Sequence, residues 1–141
     1  MPEKEIRAAE NQQNQRTDEP ERLWPGGPLF LADPHMPLTT DAILLADFSS
    51  VRAGERGADL GCGSGILMLL LMEREERLRM TGLELREEAV ALAKENLRLN
   101  AMDGRGEILS GDLRETARLL PNGGFDFVIS NPPYYAAGNG A

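Results

Sequence analysis

Three glycines at alternate positions, Gly61, Gly63 and Gly65 in Asp59-Leu60-Gly61-Cys62-Gly63-Ser64-Gly65, separate a short apolar run from the longer one that starts at Ile66. Glycine reaches positive φ without strain and carries no Cβ to hold a ligand away. The free N–H groups that open the next helix favour a carboxylate or phosphate. The stretch therefore predicts strand, tight loop and helix, with a ligand laid against bare backbone. Spacing narrows the choice of ligand. A dinucleotide loop would carry its third glycine where this chain has Ile66, and here an acidic residue, Asp59, precedes the first glycine by two positions. A second acidic residue, Glu84, closes Met80-Thr81-Gly82-Leu83-Glu84. A carboxylate there can accept both hydroxyl protons of a ribose, so the ligand is expected to contain a nucleoside. Taken alone, the loop would also suit a plain turn in an α/β domain.

The rest of the chain alternates strand and helix. Residues 1–21 are polar, including Asn11-Gln12-Gln13-Asn14-Gln15, and predict a frayed or disordered arm, because they offer too little apolar surface to offset ordering. Trp24-Pro25-Gly26-Gly27-Pro28 turns the chain, Leu29-Phe30-Leu31 predicts a short strand or hairpin arm, and the prolines that follow exclude a helix there. His35, the only histidine, is read as an idle loop residue. Thr39-Thr40-Asp41 supplies an N-cap for a helix with one continuous apolar side, Ala42 to Phe48, ending by Gly54. Strands are expected at 58–60, 80–85, 107–110 and 125–130. Helices are expected from Ile66 to about Arg77, from Arg86 to Asn100 and over about 113–120, the last stopped by Pro121. Right-handed crossovers then give an α/β fold with a parallel sheet, and ligands bind beyond the C-terminal strand ends. Asp59, Glu84 and Asp112 all fall at such ends.

The fourth strand ends in Asn131-Pro132-Pro133-Tyr134. Two prolines remove competing donors and stiffen the loop, so the Asn131 carboxamide and the Pro132 carbonyl can face one NH₂ group while an aromatic ring stacks on a planar acceptor. On its own this would equally be a rigid turn. At the same sheet edge as a nucleoside cradle it points to chemistry on an amine.

Together, Asp59-Leu60-Gly61-Cys62-Gly63-Ser64-Gly65, Glu84, Asp112 and Asn131-Pro132-Pro133-Tyr134 resemble the Rossmann-like S-adenosylmethionine-dependent amino methyltransferases, over roughly residues 36–137. Within that class, Pro37-Leu38-Thr39-Thr40-Asp41-Ala42-Ile43-Leu44-Leu45 is similar to the bacterial tRNA1(Val) (adenine37-N6)-methyltransferases. The resemblance implies sheet order 3-2-1-4 for the four strands, with three further strands after the motif that this chain does not reach. It implies S-adenosylmethionine as cofactor: Gly61, Gly63 and Gly65 under its methionine part, Asp59 near its amino group and Glu84 on the ribose hydroxyls. Asp112 would accept from its adenine amino group, Leu85 and Leu113 would flank that ring, and Thr40 or Asp41 would close over the methionine end. Asn131, Pro132 and Tyr134 would be catalytic. Cys62 is read as a small loop residue, and no metal is implied.

Other readings stand beside this one. Protein glutamine N5-methyltransferases share Asn-Pro-Pro-Tyr, because a side-chain amide presents a similar NH₂. The chain could also be a non-catalytic cofactor-binding half, whereas a nicotinamide oxidoreductase is disfavoured by Ile66. Hydrophobic residues make up 41% and charged residues 27%, which fits a soluble globular domain spanning 22–141, and no apolar run approaches the ~20 residues of a membrane span. One cysteine and no signal pattern give a cytoplasmic expectation. With 15 basic and 23 acidic residues the net charge is −8, the wrong sign for gripping phosphate. The tRNA-binding surface is therefore expected to be largely absent from this chain, which would turn over poorly alone. Phe125, Phe127 and Ile129 are expected to be poorly covered.

Overall fold

A computed structural model describes residues 19–35 and 38–132. Eleven short elements follow one another: β1 (Glu21–Arg22), β2 (Leu29–Phe30), α1 (Thr40–Phe48), β3 (Arg56–Leu60), α2 (Ile66–Arg74), β4 (Arg79–Glu84), α3 (Glu87–Leu99), β5 (Gly106–Ser110), a 3-10 turn (Leu113–Glu115), α4 (Thr116–Leu119) and β6 (Phe127–Ile129). Strands β3, β4, β5 and β6 form one parallel sheet in the order β5-β4-β3-β6, which is the expected 3-2-1-4. With right-handed crossovers, α2 and α3 share one face and the β5-to-β6 connection returns across the other.

Helix α2 is apolar on nearly every side because it is the centre of the core. Leu67, Met68, Leu69, Leu71 and Met72 are all buried, together with Leu78, Met80, Ala93, Leu97 and Ile108 from the surrounding elements. It ends at Arg74, three residues short of the expected Arg77. Glu75 turns extended there (φ −129°), and the chain dives to bury Leu78 at the entrance to β4. The carbonyls freed at this end are taken by one side chain, the Arg105 guanidinium, which donates to Met72 (2.7 Å), Glu75 (3.0 Å) and Leu78 (3.2 Å).

Two expectations are corrected. Helix α1 turns a narrower apolar side to the core than its apolar run suggests: Ala42 and Ala46 are buried and Leu45 packs beside them, whereas Ile43, Leu44 and Phe48 are exposed. The small alanines allow the close approach, so these three larger side chains lie around the outside. On β6 it is Val128 that is left exposed, at 61%, whereas Ile129 is buried and Phe127 packs against the core. Gly57 on β3 makes this possible, since a Cβ there would stand 2.3 Å from the Phe127 ring. The expected polar arm lies outside the described residues up to 18, and its last residue, Glu21, pairs with Phe30 in the small β1–β2 hairpin.

Removing the Arg105 cap while keeping its bulk, as in Arg105→Met, leaves three carbonyls short of a charged donor. Urea unfolding should show a loss of roughly 2 kcal/mol. An unchanged midpoint would show that water replaces the guanidinium at no cost.

Candidate functional site

The C-terminal edge of the parallel sheet gathers the polar residues. Register alone brings Asp59 beside Gly82 and Ile129, and Glu84 beside Ser110. The turn after β3 is closed onto β4 by convergence: the N–H groups of Gly61 (2.8 Å) and Cys62 (3.1 Å) both donate to the Leu83 carbonyl. All three glycines have positive φ: 76° at Gly61, 54° at Gly63 and 85° at Gly65. At Gly61 an added Cβ would meet nothing within 4 Å, so the loop faces open space on that side. Cys62 points inward, where Gly82 makes room for its sulfur: a Cβ at Gly82 would stand 2.8 Å from it. Burial pushes the Cys62 thiol well up, which leaves it inert and consistent with a packing role.

Two carboxylates lie under this loop. Asp59 is 1% exposed, and neither of its oxygens has a hydrogen-bond partner among the described residues. Burial, and then the nearby Glu84 charge, push its carboxyl up to about 7. Glu84 is buried as well and is raised by that burial. The Arg86 charge and the N–H groups of Leu85, Gly63 and Arg86 oppose the rise. A buried carboxylate with no partner among the described residues, next to three positive-φ glycines, is costly to leave charged, and a cation such as the ammonium end of S-adenosylmethionine would relieve that cost.

Leu85 is 63% and Leu113 45% exposed, immediately beyond β4 and β5, so two apolar side chains stand at the same edge as Glu84. Asp112 is engaged: it caps the 3-10 turn through the Arg114 N–H (2.8 Å) and holds the Arg114 guanidinium at 2.6 Å, which keeps its carboxyl down near 2. Sequence reasoning missed this Arg114 pairing. Thr40 is the first residue of α1 and exposed, and Thr39 is the N-cap, its Oγ1 accepting from Ala42 (3.4 Å). Asn131 and Pro132 leave β6 at the same edge, and the preceding Ser130 hydroxyl ties the strand end to the Leu60 carbonyl at 2.7 Å. Tyr134 lies outside the described residues, as does Pro133. A cavity of about 550 Å³ lies at the opposite edge, lined by Arg56, Arg79 and Gly106 at the strand starts, and has no part in this site.

This fold defines an α/β protein of the Rossmann-like methyltransferase type, with the glycine loop, Glu84 and Asn131 at neighbouring strand ends. The methyltransferase small domain family model matches residues 39–140, and the chain belongs to that family, whose cofactor is S-adenosylmethionine. It is 37% identical over 109 residues to the tRNA1(Val) (adenine(37)-N6)-methyltransferase of Escherichia fergusonii, covering 73% of this chain and 42% of that one. Among solved structures, it is similar to a predicted O-methyltransferase from Agrobacterium tumefaciens (TM-score 0.58, 37% identity, 66% of this chain and 49% of that one). It is also similar to TrmN from Thermus thermophilus (TM-score 0.58, 26% identity, 65% and 27%). The chain spans less than half the length of the curated relatives it matches. Among the described residues, no helix is long and apolar enough to cross a membrane, and no cluster of His, Cys, Asp and Glu could hold a metal.

The Asp59 carboxyl makes the ligand-free protein pH-sensitive. In the unfolded chain it releases its proton near 3.8, whereas in the folded chain it keeps it to about 7. Between these values the native state binds the extra proton, so its contribution is fully present below 3.8 and is lost as pH rises towards 7. Stability should fall with a slope of up to roughly 1.4 kcal/mol per pH unit in that window. Asp59→Asn should flatten the profile. Denaturant titrations at pH 4.5, 5.5 and 6.5 check this, and parallel profiles for both proteins would refute it.

Proposed function

We propose that this chain carries the cofactor seat and amine-binding loop of an enzyme that methylates an exocyclic amino nitrogen, adenine N6 in tRNA. The observation that carries the reading is that β6 pairs directly with β3, which delivers Asn131 and Pro132 to the edge where Asp59 and the glycine loop stand. The names of the tRNA-modifying relatives and the Thr39–Leu45 stretch at the head of α1 favour tRNA over a protein glutamine.

S-adenosylmethionine supplies a methyl group already activated on a sulfonium. Glu84 takes the ribose hydroxyls, Asp59 the amino group of the methionine end, and Leu85 and Leu113 flank the adenine, with Asp112 accepting from its amino group through the lone pairs that Arg114 leaves free. Thr40 closes over the methionine end. Adenine's own amino lone pair is delocalised into its ring and is a poor nucleophile. The Asn131 carboxamide oxygen and the Pro132 carbonyl accept from its two N–H groups, draw the nitrogen toward tetrahedral geometry and stabilise the positive charge that develops there. Tyr134 stacks on the base once it has left its neighbours' stack. As the N–CH₃ bond forms, the S–CH₃ bond would break, S-adenosylhomocysteine would leave, and the extra proton on the methylated nitrogen would pass to water, so no general base is strictly required; alignment and exclusion of water would supply the rest of the rate.

Two measurements test this. S-adenosylhomocysteine should raise the melting temperature of this chain more than NAD does, and Glu84→Ala should reduce that rise, while equal protection by NAD would overturn the cofactor seat. Labelled methyl transfer should be assayed to unmodified tRNA and to a glutamine-bearing release factor, with this chain and with one extended to its relatives' length. Asn131→Ala should lower transfer to tRNA by about 100-fold to 1000-fold with S-adenosylhomocysteine affinity unchanged. Transfer to the release factor alone would move the acceptor to glutamine.

A further inference from the structure

Helix α3 carries two asparagines one turn apart, Asn96 and Asn100, and both face the extended segment that follows the hairpin. Asn100 accepts from the Leu29 N–H (2.8 Å) and donates to the Leu29 carbonyl (2.7 Å). Asn96 does the same to Leu31, at 2.7 and 3.1 Å. The match is geometric: four helical residues rise about 6 Å, and two extended residues about 6.7 Å. The carboxamides thus act as a surrogate strand, holding residues 29–31 antiparallel to the helix. Each amide has one N–H left. Asn100 sends its own to the Asn96 carbonyl (2.8 Å), within the helix. Asn96, fully buried, sends its own to the Ser64 carbonyl (2.9 Å), inside the glycine loop.

The same arm makes a second tether. Asp33, 6% exposed, accepts from the His35 N–H (2.8 Å) and pairs with the Arg86 guanidinium, two residues beyond Glu84. Both attachments of the arm therefore reach one step from a cofactor-binding element, and neither Asn96, Asn100, Asp33 nor Arg86 belongs to the cofactor seat itself.

We propose that the Leu29–Asp33 arm is a positioning element: docked on α3, it orients the Asn96 amide that holds the glycine loop and the Arg86 guanidinium that stands beside Glu84. Leu31 makes the orientation one-sided. Its N–H demands the Asn96 oxygen and its carbonyl demands the NH₂, which leaves an N–H for Ser64. With the arm undocked, the amide is free to turn its oxygen toward the Ser64 carbonyl, where two acceptors repel and the loop is released. Arm docking and cofactor binding are then linked equilibria, each favouring the other by the same factor.

The inference rests on the glycine loop and Glu84 being the cofactor seat, and it is tested on binding rather than methylation. S-adenosylhomocysteine affinity should be measured by calorimetry, well below each melting temperature, for the wild-type chain, Asn100→Ala and Asp33→Asn. Each variant should bind about tenfold more weakly. Together they should weaken binding by less than the product, because both release the same arm. A merely structural brace would lower the melting temperature and leave the affinity of the folded protein within twofold of wild type, which would overturn the proposal. Hydrogen exchange on the wild-type protein needs no variant: saturating S-adenosylhomocysteine should slow the Leu29 and Leu31 amides, and unchanged exchange would equally overturn it. A wild-type chain that does not bind S-adenosylhomocysteine would instead refute the cofactor seat, and this coupling with it.

Discussion

One carbonyl holds the functional edge together. Leu83 accepts from both Gly61 and Cys62, so the chain leaving β3 is pinned to β4 before it turns into α2. That closure requires φ of 76° at Gly61, which a residue with a Cβ adopts only with strain. It fixes the glycine loop and Glu84 relative to each other, because Glu84 directly follows Leu83 in the chain. Parallel register carries the geometry outward on both sides, from β4 to the Gly111 N–H on Glu84 (2.9 Å) and from β3 to Ser130 on Leu60. Without the shared carbonyl there would be four strand ends and no common site.

The same closure sets the electrostatics. Pinning the loop down leaves Asp59 buried with no partner among the described residues, next to a second carboxylate. A protein that leaves such a group unpaired gives up stability in the absence of ligand. One residue earlier on the same strand the core closes over Ala58 instead, at no such cost.

The alternating strands and helices of the parallel sheet were legible in the sequence because local signals agreed with the fold: three glycines between a strand and a helix, period-3.6 positions Ala89, Val90, Ala93 and Leu97, and Pro121 as a stop; the strand order came from the family resemblance. Boundaries moved where a long-range contact decided them, as at Arg74, where burial of Leu78 and capping by Arg105 end the helix early. The exposed side of α1 was not legible either: an apolar helix gives no sign of which stripe is small enough to pack, and here the alanines won over Ile43, Leu44 and Phe48. Site residues on strand ends could be read one by one, whereas their supports could not. Asn96, Asn100 and Asp33 act through partners more than fifty residues away. The only trace of them is two polar residues four apart on a helix whose neighbouring positions are apolar.

The acidic floor also explains why a parallel sheet with an alternate-glycine loop should not be read as a dinucleotide site. A pyrophosphate seated against the loop N–H groups would bring negative charge over Asp59 and Glu84, two buried carboxylates whose burial already raises both, with the Glu84 charge raising Asp59 further. S-adenosylmethionine carries no phosphate, and its sulfonium and ammonium groups leave it cationic even with its carboxylate ionised. On the proposed reading it would offer a ribose for Glu84 and a positive group for Asp59 without that repulsion. The distinction that spacing alone drew at Ile66 then has a physical counterpart in the buried acids. Specificity under that reading would come from a group that disfavours the wrong ligand as much as it holds the right one.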